Sequence, residues 1–168
     1  MTATLRRLLL APLLLLLAGC TLRHVAAGPI SVPGAEVTVV WVEDVGSMDS
    51  LWNPEIIVRK DGRKTATKLL DDGDPRTSRL SLYAAGPGRL GVIIGGGAVL
   101  VDYSDGDARE RQPSGPAEVN GWTYLGVVVP HRAGGGFSFV SATQAPECMV
   151  KGNWEPDIRL SIWRDECP

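Results

Sequence analysis

The sequence predicts an all-β protein, and three observations support this prediction. Short β-branched stretches with alternating apolar and polar residues recur along the chain, most cleanly at residues 157–164. Turn residues are dense between these stretches, with 20 Gly and 12 Pro among 168 residues. No window shows the sustained 3.6-residue apolar stripe of an amphipathic helix. Eight or nine short strands separated by such turns predict an antiparallel β-sandwich, with a small β-barrel as the alternative.

Nine segments have the length and composition of strands. The first of them is β-branched and too short for a helix. Asp61-Gly62, between the second and third, is the strongest short-range hairpin signal. Glycine runs at 95–97 and 134–136 are predicted to be turns, since a phosphate-binding loop needs a helix after its glycines. The predicted strands cover residues 36–43, 55–60, 63–70, 79–84, 89–95, 98–103, 122–129, 137–142 and 157–164.

The N-terminal segment has the features of an export signal. Two arginines precede an eleven-residue apolar stretch, residues 8–18. The end of this stretch overlaps the motif Leu17-Ala18-Gly19-Cys20. A helix needs about 20 apolar residues to span a bilayer, so this stretch is too short. The segment is similar to a bacterial lipoprotein signal; the alternative is an ordinary secretory signal with a chance cysteine at its end. The resemblance implies removal of residues 1–19, acyl chains on Cys20 and, because Thr21 rather than Asp follows, an outer-membrane location.

The rest of the chain is predicted to form a tether and one domain. Residues 20–35 are small, interrupted by Pro and Gly, and without strong periodicity, which predicts a flexible lipidated tether. Residues 36–168 suit a single β domain that buries about two-thirds of its unfolded surface. Residues 1–19 contain two of the 17 basic residues and none of the 19 acidic ones, so the remainder has a net charge of −4. This charge argues against a strongly basic nucleic-acid binder.

Two cysteines remain once Cys20 carries lipid. In an oxidising periplasm Cys148 and Cys167 are expected to pair. The bridge would close a loop of about 20 residues and contribute about 3 kcal/mol in the chain-entropy model. Two unpaired thiols are the alternative. No metal or other cofactor is predicted, because no CxxC is present and His131 is the only histidine of the domain.

The tip of the Asp61-Gly62 hairpin is the first candidate binding surface. A two-residue turn would place two pairs of cations opposite one another, Lys60 with Arg63 and Arg59 with Lys64. Like charges in this position destabilise a strand pair. The four cations predict a surface for anionic head groups, lipopolysaccharide phosphates or an acidic partner. A solvated edge that blocks aggregation, or neutralisation by Asp71, Asp72 and Asp74, is the alternative.

The second candidate is the stretch 104–120, which has no strand or helix pattern. Connections of this length are usually functional or disordered. Arg109 and Arg111 are its candidate contact residues, and simple disorder is an equal alternative.

The third candidate is a repeated phrase. Trp52-Asn53-Pro54-Glu55-Ile56 resembles Trp154-Glu155-Pro156-Asp157-Ile158. The two phrases are predicted to be strand entries, since Pro is tolerated at the start of a strand. The sharper hypothesis places Trp52 and Trp154 together as an exposed aromatic pair that binds a partner.

The sequence assigns no catalytic residue. A Ser-His-Asp catalytic site would have to use His131 as its histidine. The Gly-x-Ser-x-Gly motif that presents a catalytic serine in many hydrolases is not present. Glu43, Asp44 and Asp49 are available for a carboxylate pair, but nothing in the sequence brings two acids across a cleft.

The expected function is therefore binding to an envelope partner. The chain is expected to be an accessory of an envelope assembly, or an immunity or inhibitor protein that blocks a hydrolase. The alternative is an envelope hydrolase acting on peptidoglycan or glycan. Tyr124-Leu125-Gly126-Val127-Val128 looks like a strand of the outer-membrane lipoprotein of type VI secretion, which implies a secretion-system lipoprotein as a minor alternative.

Overall fold

The computed structural model describes residues 20–45, 51–69, 79–94, 97–130, 137–147, 149–151 and 161–163. These residues form twelve strands and one short helix. The elements are β1 Cys20–Val32, β2 Ala35–Val45, β3 Leu51–Lys60, β4 Arg63–Lys68, β5 Leu80–Ala84, β6 Arg89–Ile94, β7 Gly97–Asp102, β8 Arg109–Arg111, α1 Pro116–Asn120, β9 Thr123–Pro130, β10 Phe137–Ser141, β11 Met149–Lys151 and β12 Ser161–Trp163.

Two antiparallel sheets carry the fold. One has four strands in the order β1-β2-β3-β4, and the other has six in the order β10-β9-β5-β6-β7-β8. Strand β1 contacts β10 at one edge of the pair of sheets, and β4 contacts β8 at the other. Neither sheet closes into a barrel. The prediction of an antiparallel β-sandwich is confirmed, and β11 and β12 add a separate two-stranded pair.

The predicted strands agree with the structure over the described residues. Eight of the nine predicted segments correspond to β2 to β7, β9 and β10, and β12 lies within the ninth. Strands β1, β8 and β11 were not predicted. Strand β1 corrects the expectation of a flexible tether, and strand β8 corrects the expectation that the stretch 104–120 has no regular structure.

The segment predicted as a flexible tether is strand β1. It pairs with β2 from Cys20 opposite Val45 to Val32 opposite Ala35, with irregularities near Gly28. Ile30 and Val32 are 6 % and 8 % exposed and belong to the main core. The pairing gives most backbone groups of β1 a hydrogen-bonding partner on β2 and buries Ile30 and Val32 in the core.

The stretch 104–120 is also more regular than expected. It contains β8, which pairs with β7, and α1. A three-residue strand and a five-residue helix are too short to produce a periodic pattern, so their sequence resembles a loop.

The main core lies between the two sheets. Alternate residues of β2, Val37, Val39 and Trp41, are fully buried there. They face Leu80, Leu82 and other apolar residues of the six-stranded sheet. The ring of Trp41 stacks on Phe137 of β10 at a centroid distance of 5.5 Å. This alternation, with one face of each strand in the core, holds the sheets together.

A second core covers the outer face of the six-stranded sheet. Val119 of α1 and Trp122 pack there on Tyr83 and Leu100. The ring of Tyr83 is 6.0 Å from that of Trp122 and 5.5 Å from that of Tyr124, by ring centroids. Burial raises the pKa of Tyr83, and the Glu147 carboxylate raises it further. Burial likewise raises the pKa of Tyr124, to about 12.

Candidate functional site

The β3–β4 hairpin has the predicted turn. Asp61 and Gly62 both have positive φ, +50° and +78°, as a two-residue turn that matches the twist of its strands requires. Lys60 pairs with Arg63 and Arg59 with Lys64, so the predicted cross-strand arrangement of cations is confirmed. We call the surface formed by these four residues the basic tip.

The segment after β7 lies against the basic tip and partly neutralises it. Arg63 Nη2 is 3.0 Å from Asp107 Oδ1. Lys60 Nζ donates a hydrogen bond to the Ser104 carbonyl oxygen at 3.1 Å. One residue beyond Asp107, the Ala108 N–H donates to Thr65 Oγ1 at 3.2 Å. Asp107 therefore neutralises Arg63. Asp71, Asp72 and Asp74, which the sequence offered for neutralisation, lie outside the described residues.

Sequence reasoning missed this contact, although a local signal for the turn exists. Asp102 Oδ1 accepts hydrogen bonds from the hydroxyl of Ser104 at 2.6 Å and from its N–H at 3.0 Å. Asp105 Oδ1 accepts from the Asp107 N–H at 3.1 Å. These bonds from a side chain to the backbone two residues later are typical of Asp turns. The Ser104 hydroxyl, and then the Arg89 guanidinium, lower the pKa of Asp102. The Asp-rich spacing predicts such turns, but not the strand they face.

Arg109 and Arg111 are held by contacts within the domain. Arg109 Nη2 is 3.1 Å from Asp105 Oδ2 and 3.6 Å from Asp107 Oδ2. Arg111 Nη2 donates to Glu118 Oε1 at 2.7 Å. The predicted contact residues of the stretch 104–120 therefore help to shape it.

Two cations of the basic tip are free to meet another molecule. Arg59 and Lys64 are exposed, and neither forms an ion pair or side-chain hydrogen bond with any residue that the structure describes. Glu36 is opposite Arg59 on β2 without pairing to its side chain. Arg59 and Lys64 lie opposite one another, so they form a compact site of two positive charges.

An open groove adjoins the basic tip at the same end of the sandwich. Its cavity volume is about 660 Å³. Its walls come from the turns of both sheets, and its lining residues are Pro33, Gly34, Lys60, Ala84, Gly86, Pro87, Gly88, Tyr103, Gly121 and Thr123. Tyr103 is 1 % exposed, and its hydroxyl donates to the Pro33 carbonyl oxygen at 3.4 Å. The groove is mainly apolar, and Lys60 is the one charged residue of this lining.

Trp52, one member of the predicted aromatic pair, lies in β3 far from the basic tip. Trp52 is opposite Glu43 near the start of β3, at the other end of the sandwich. Eight residues of strand separate it from Lys60, about 26 Å at 3.3 Å per residue. The side chain of Trp52 and all of Trp154 lie outside the described residues, as do Cys148, Cys167 and His131.

The described part of the chain contains no group of three His, Cys, Asp or Glu side chains suited to a metal ion. Among its helices, none is long and apolar enough to cross a membrane. Comparison of the chain with protein-family models, curated proteins and solved structures finds no match.

Proposed function

We propose that this chain is a lipoprotein that acyl chains on Cys20 anchor to the outer membrane, and that its domain binds an acidic protein of the envelope. It would serve as an assembly accessory or as an immunity or inhibitor protein for a hydrolase. The observation that carries the binding proposal is the pair Arg59 and Lys64. Both cations are exposed without an ion pair among the described residues, on a turn that neighbouring hydrogen bonds hold in place.

The direction of β1 supports a protein partner over the head groups of the anchoring membrane. Strand β1 begins at Cys20 and leads to the turn before Ala35, which lies at the same end as the basic tip. Thirteen residues of strand span about 40 Å. A lipid on Cys20 would hold the opposite end of the sandwich, so the basic tip would point away from that bilayer.

In-cell photocrosslinking of the full-length lipoprotein tests the proposal. A photoreactive residue replaces Ala66, an exposed position on β4 two residues from Lys64. We expect one stoichiometric adduct with an acidic envelope protein. The double variant Arg59→Gln/Lys64→Gln should reduce its yield about fivefold, because exposed ion pairs contribute about 0.2–1 kcal/mol each.

Lys68→Gln is the matched control, since Lys68 is exposed on the same strand and equally far from Ala66. It should leave the adduct yield unchanged. An adduct that the double variant and the control form equally well would contradict binding through the basic tip, and no adduct at any expression level would contradict the binding function.

A further inference from the structure

The groove beside the basic tip has walls that are fixed before any ligand arrives. Gly34, Gly86 and Gly88 have φ of +77°, +110° and +68°, in the region that favours glycine. The Tyr103 N–H donates to the Gly88 carbonyl at 2.8 Å, and the Arg89 N–H donates to that of Gly86 at 3.2 Å. A Cβ on Gly88 would lie 2.7 Å from Ser104 Cα, so this wall is closely packed. Preformed walls reduce the ordering that binding requires.

The floor of the groove suits an apolar group. Tyr103 belongs to the main core, and its one polar side-chain atom is already bonded to the Pro33 carbonyl. Covering this floor therefore leaves no side-chain donor of Tyr103 without a partner, so an apolar side chain can be buried there without the penalty of an unsatisfied polar group. Pro33 and Pro87 add apolar walls that have no backbone N–H.

The charge of the groove lining determines which residues of the ligand can flank that apolar side chain. Lys60 lines the groove, whereas Arg59 and Lys64 lie on the other face of the hairpin, because successive side chains of a strand alternate between its faces. No carboxylate belongs to the described lining. A carboxylate beside an inserted side chain would meet Lys60, whereas a basic segment would be repelled.

We propose that this groove binds an acidic segment of the partner protein and buries one of its apolar side chains. This inference rests on the proposed binding function and names the partner's chemistry. The apolar floor favours a peptide over a glycan, since a sugar would need hydrogen-bonding groups where Tyr103 and the prolines lie.

The test moves the photoreactive residue from Ala66 to Thr123, an exposed residue of the groove lining. The full-length lipoprotein is crosslinked in cells, and the attached peptide is sequenced by mass spectrometry. We expect the same partner as from Ala66, through a segment that has an apolar residue flanked by Asp or Glu. In a second measurement from Ala66, Thr123→Trp should fill the groove and lower the adduct yield at least threefold, whereas Thr143→Trp, exposed in the turn after β10, should not.

The outcomes separate this inference from the function on which it rests. An adduct from Ala66 but none from Thr123 would overturn the groove and leave the binding function intact. A peptide captured from Thr123 without net negative charge, or an adduct that Thr123→Trp leaves at full yield, would also overturn the groove. No adduct from either position would overturn both.

Discussion

At the scale of single residues, the contact between Trp122 and Gly91 fixes the second core. Gly91 is buried in β6, and the Trp122 ring lies directly over it. A Cβ at this position would be 2.3 Å from Trp122 Cε3. The absence of a side chain on β6 is therefore what allows the indole to reach the sheet.

We expect Gly91→Ala to destabilise the domain by about 1–3 kcal/mol, as is usual when a well-packed core receives an extra methyl group. Urea unfolding would show this as a lower midpoint at unchanged slope. Gly97→Ala is the matched control, because a Cβ there would meet its nearest atom, the Ile94 carbonyl oxygen, at 3.7 Å. Equal midpoints for the two variants would contradict the packing described for Trp122.

The sequence could not have shown the importance of Gly91. A glycine within a strand predicts a bulge or a close approach of another group. Which group approaches depends on the path from β8 through α1 to residue 122, and this path has no periodic signal. In contrast, the positive φ of Asp61 and Gly62 follows directly from the residue types and could be predicted.

At the scale of elements, Glu118 organises the segment that contains β8 and α1. It accepts hydrogen bonds from the Ser114 N–H at 2.7 Å and from the Ser114 hydroxyl at 2.8 Å. Its other carboxylate oxygen accepts from Arg111. The bonds from Ser114, and then the Arg111 guanidinium, lower the pKa of Glu118. One carboxylate thus joins β8, the turn after it and α1.

The order of this segment should depend on pH. The pKa of Glu118 is lower in the folded state than its ordinary value of 4.5, so its contribution to stability is present above 4.5 and is lost as the pH falls through the folded value. Glu118→Gln should speed hydrogen exchange over residues 112–122 about tenfold at neutral pH, because a charged acceptor is lost. Glu36→Gln, at an exposed site on β2, serves as the control. Unchanged exchange in Glu118→Gln would contradict this role.

The predicted elements are specified by their own local sequence, whereas the elements that were not predicted depend on partners elsewhere in the chain. Strands such as β2 and β6 have apolar runs that specify a strand locally. Strand β1 and the segment 109–120 are ordered by partners elsewhere in the chain, such as β2 for β1 and β7 for β8. Four of the candidate binding residues, the cations of the basic tip, could be predicted because a two-residue turn sets their register. The groove could not, since its walls come from turns of both sheets.

At the scale of the whole molecule, the two ends of the sandwich are predicted to have different tasks. One end holds Cys20, and the other holds the basic tip and the groove. The end with Cys20 follows the segment predicted to be an export signal, and the other end has the exposed cations.

If Cys20 is acylated as proposed, Cys20→Ser should release the protein from the membrane fraction, because serine cannot form the thioether to the acyl chains. Two or more acyl chains hold a protein stably, whereas a chain without them has no comparable attachment. Fractionation and immunoblotting would measure this, with Thr21→Ser as the neighbouring control. Cys20→Ser protein that stays in the membrane fraction would show that the anchor is elsewhere.

The pairing of β1 with β2 would fix the distance between a lipid on Cys20 and the far end of the domain. A flexible linker of this length would let the domain explore a hemisphere above the bilayer and meet partners at many heights. Strand β1 begins at the cysteine itself. A lipid on Cys20 would therefore make the sandwich a short strut between the bilayer and the basic tip. The basic tip and the groove would then stay within a narrow range of heights above the membrane. Such a strut raises the effective concentration for a partner held in that range and lowers it for one held elsewhere. The height of the partner above the bilayer would then be part of the specificity of binding, set by the length of β1.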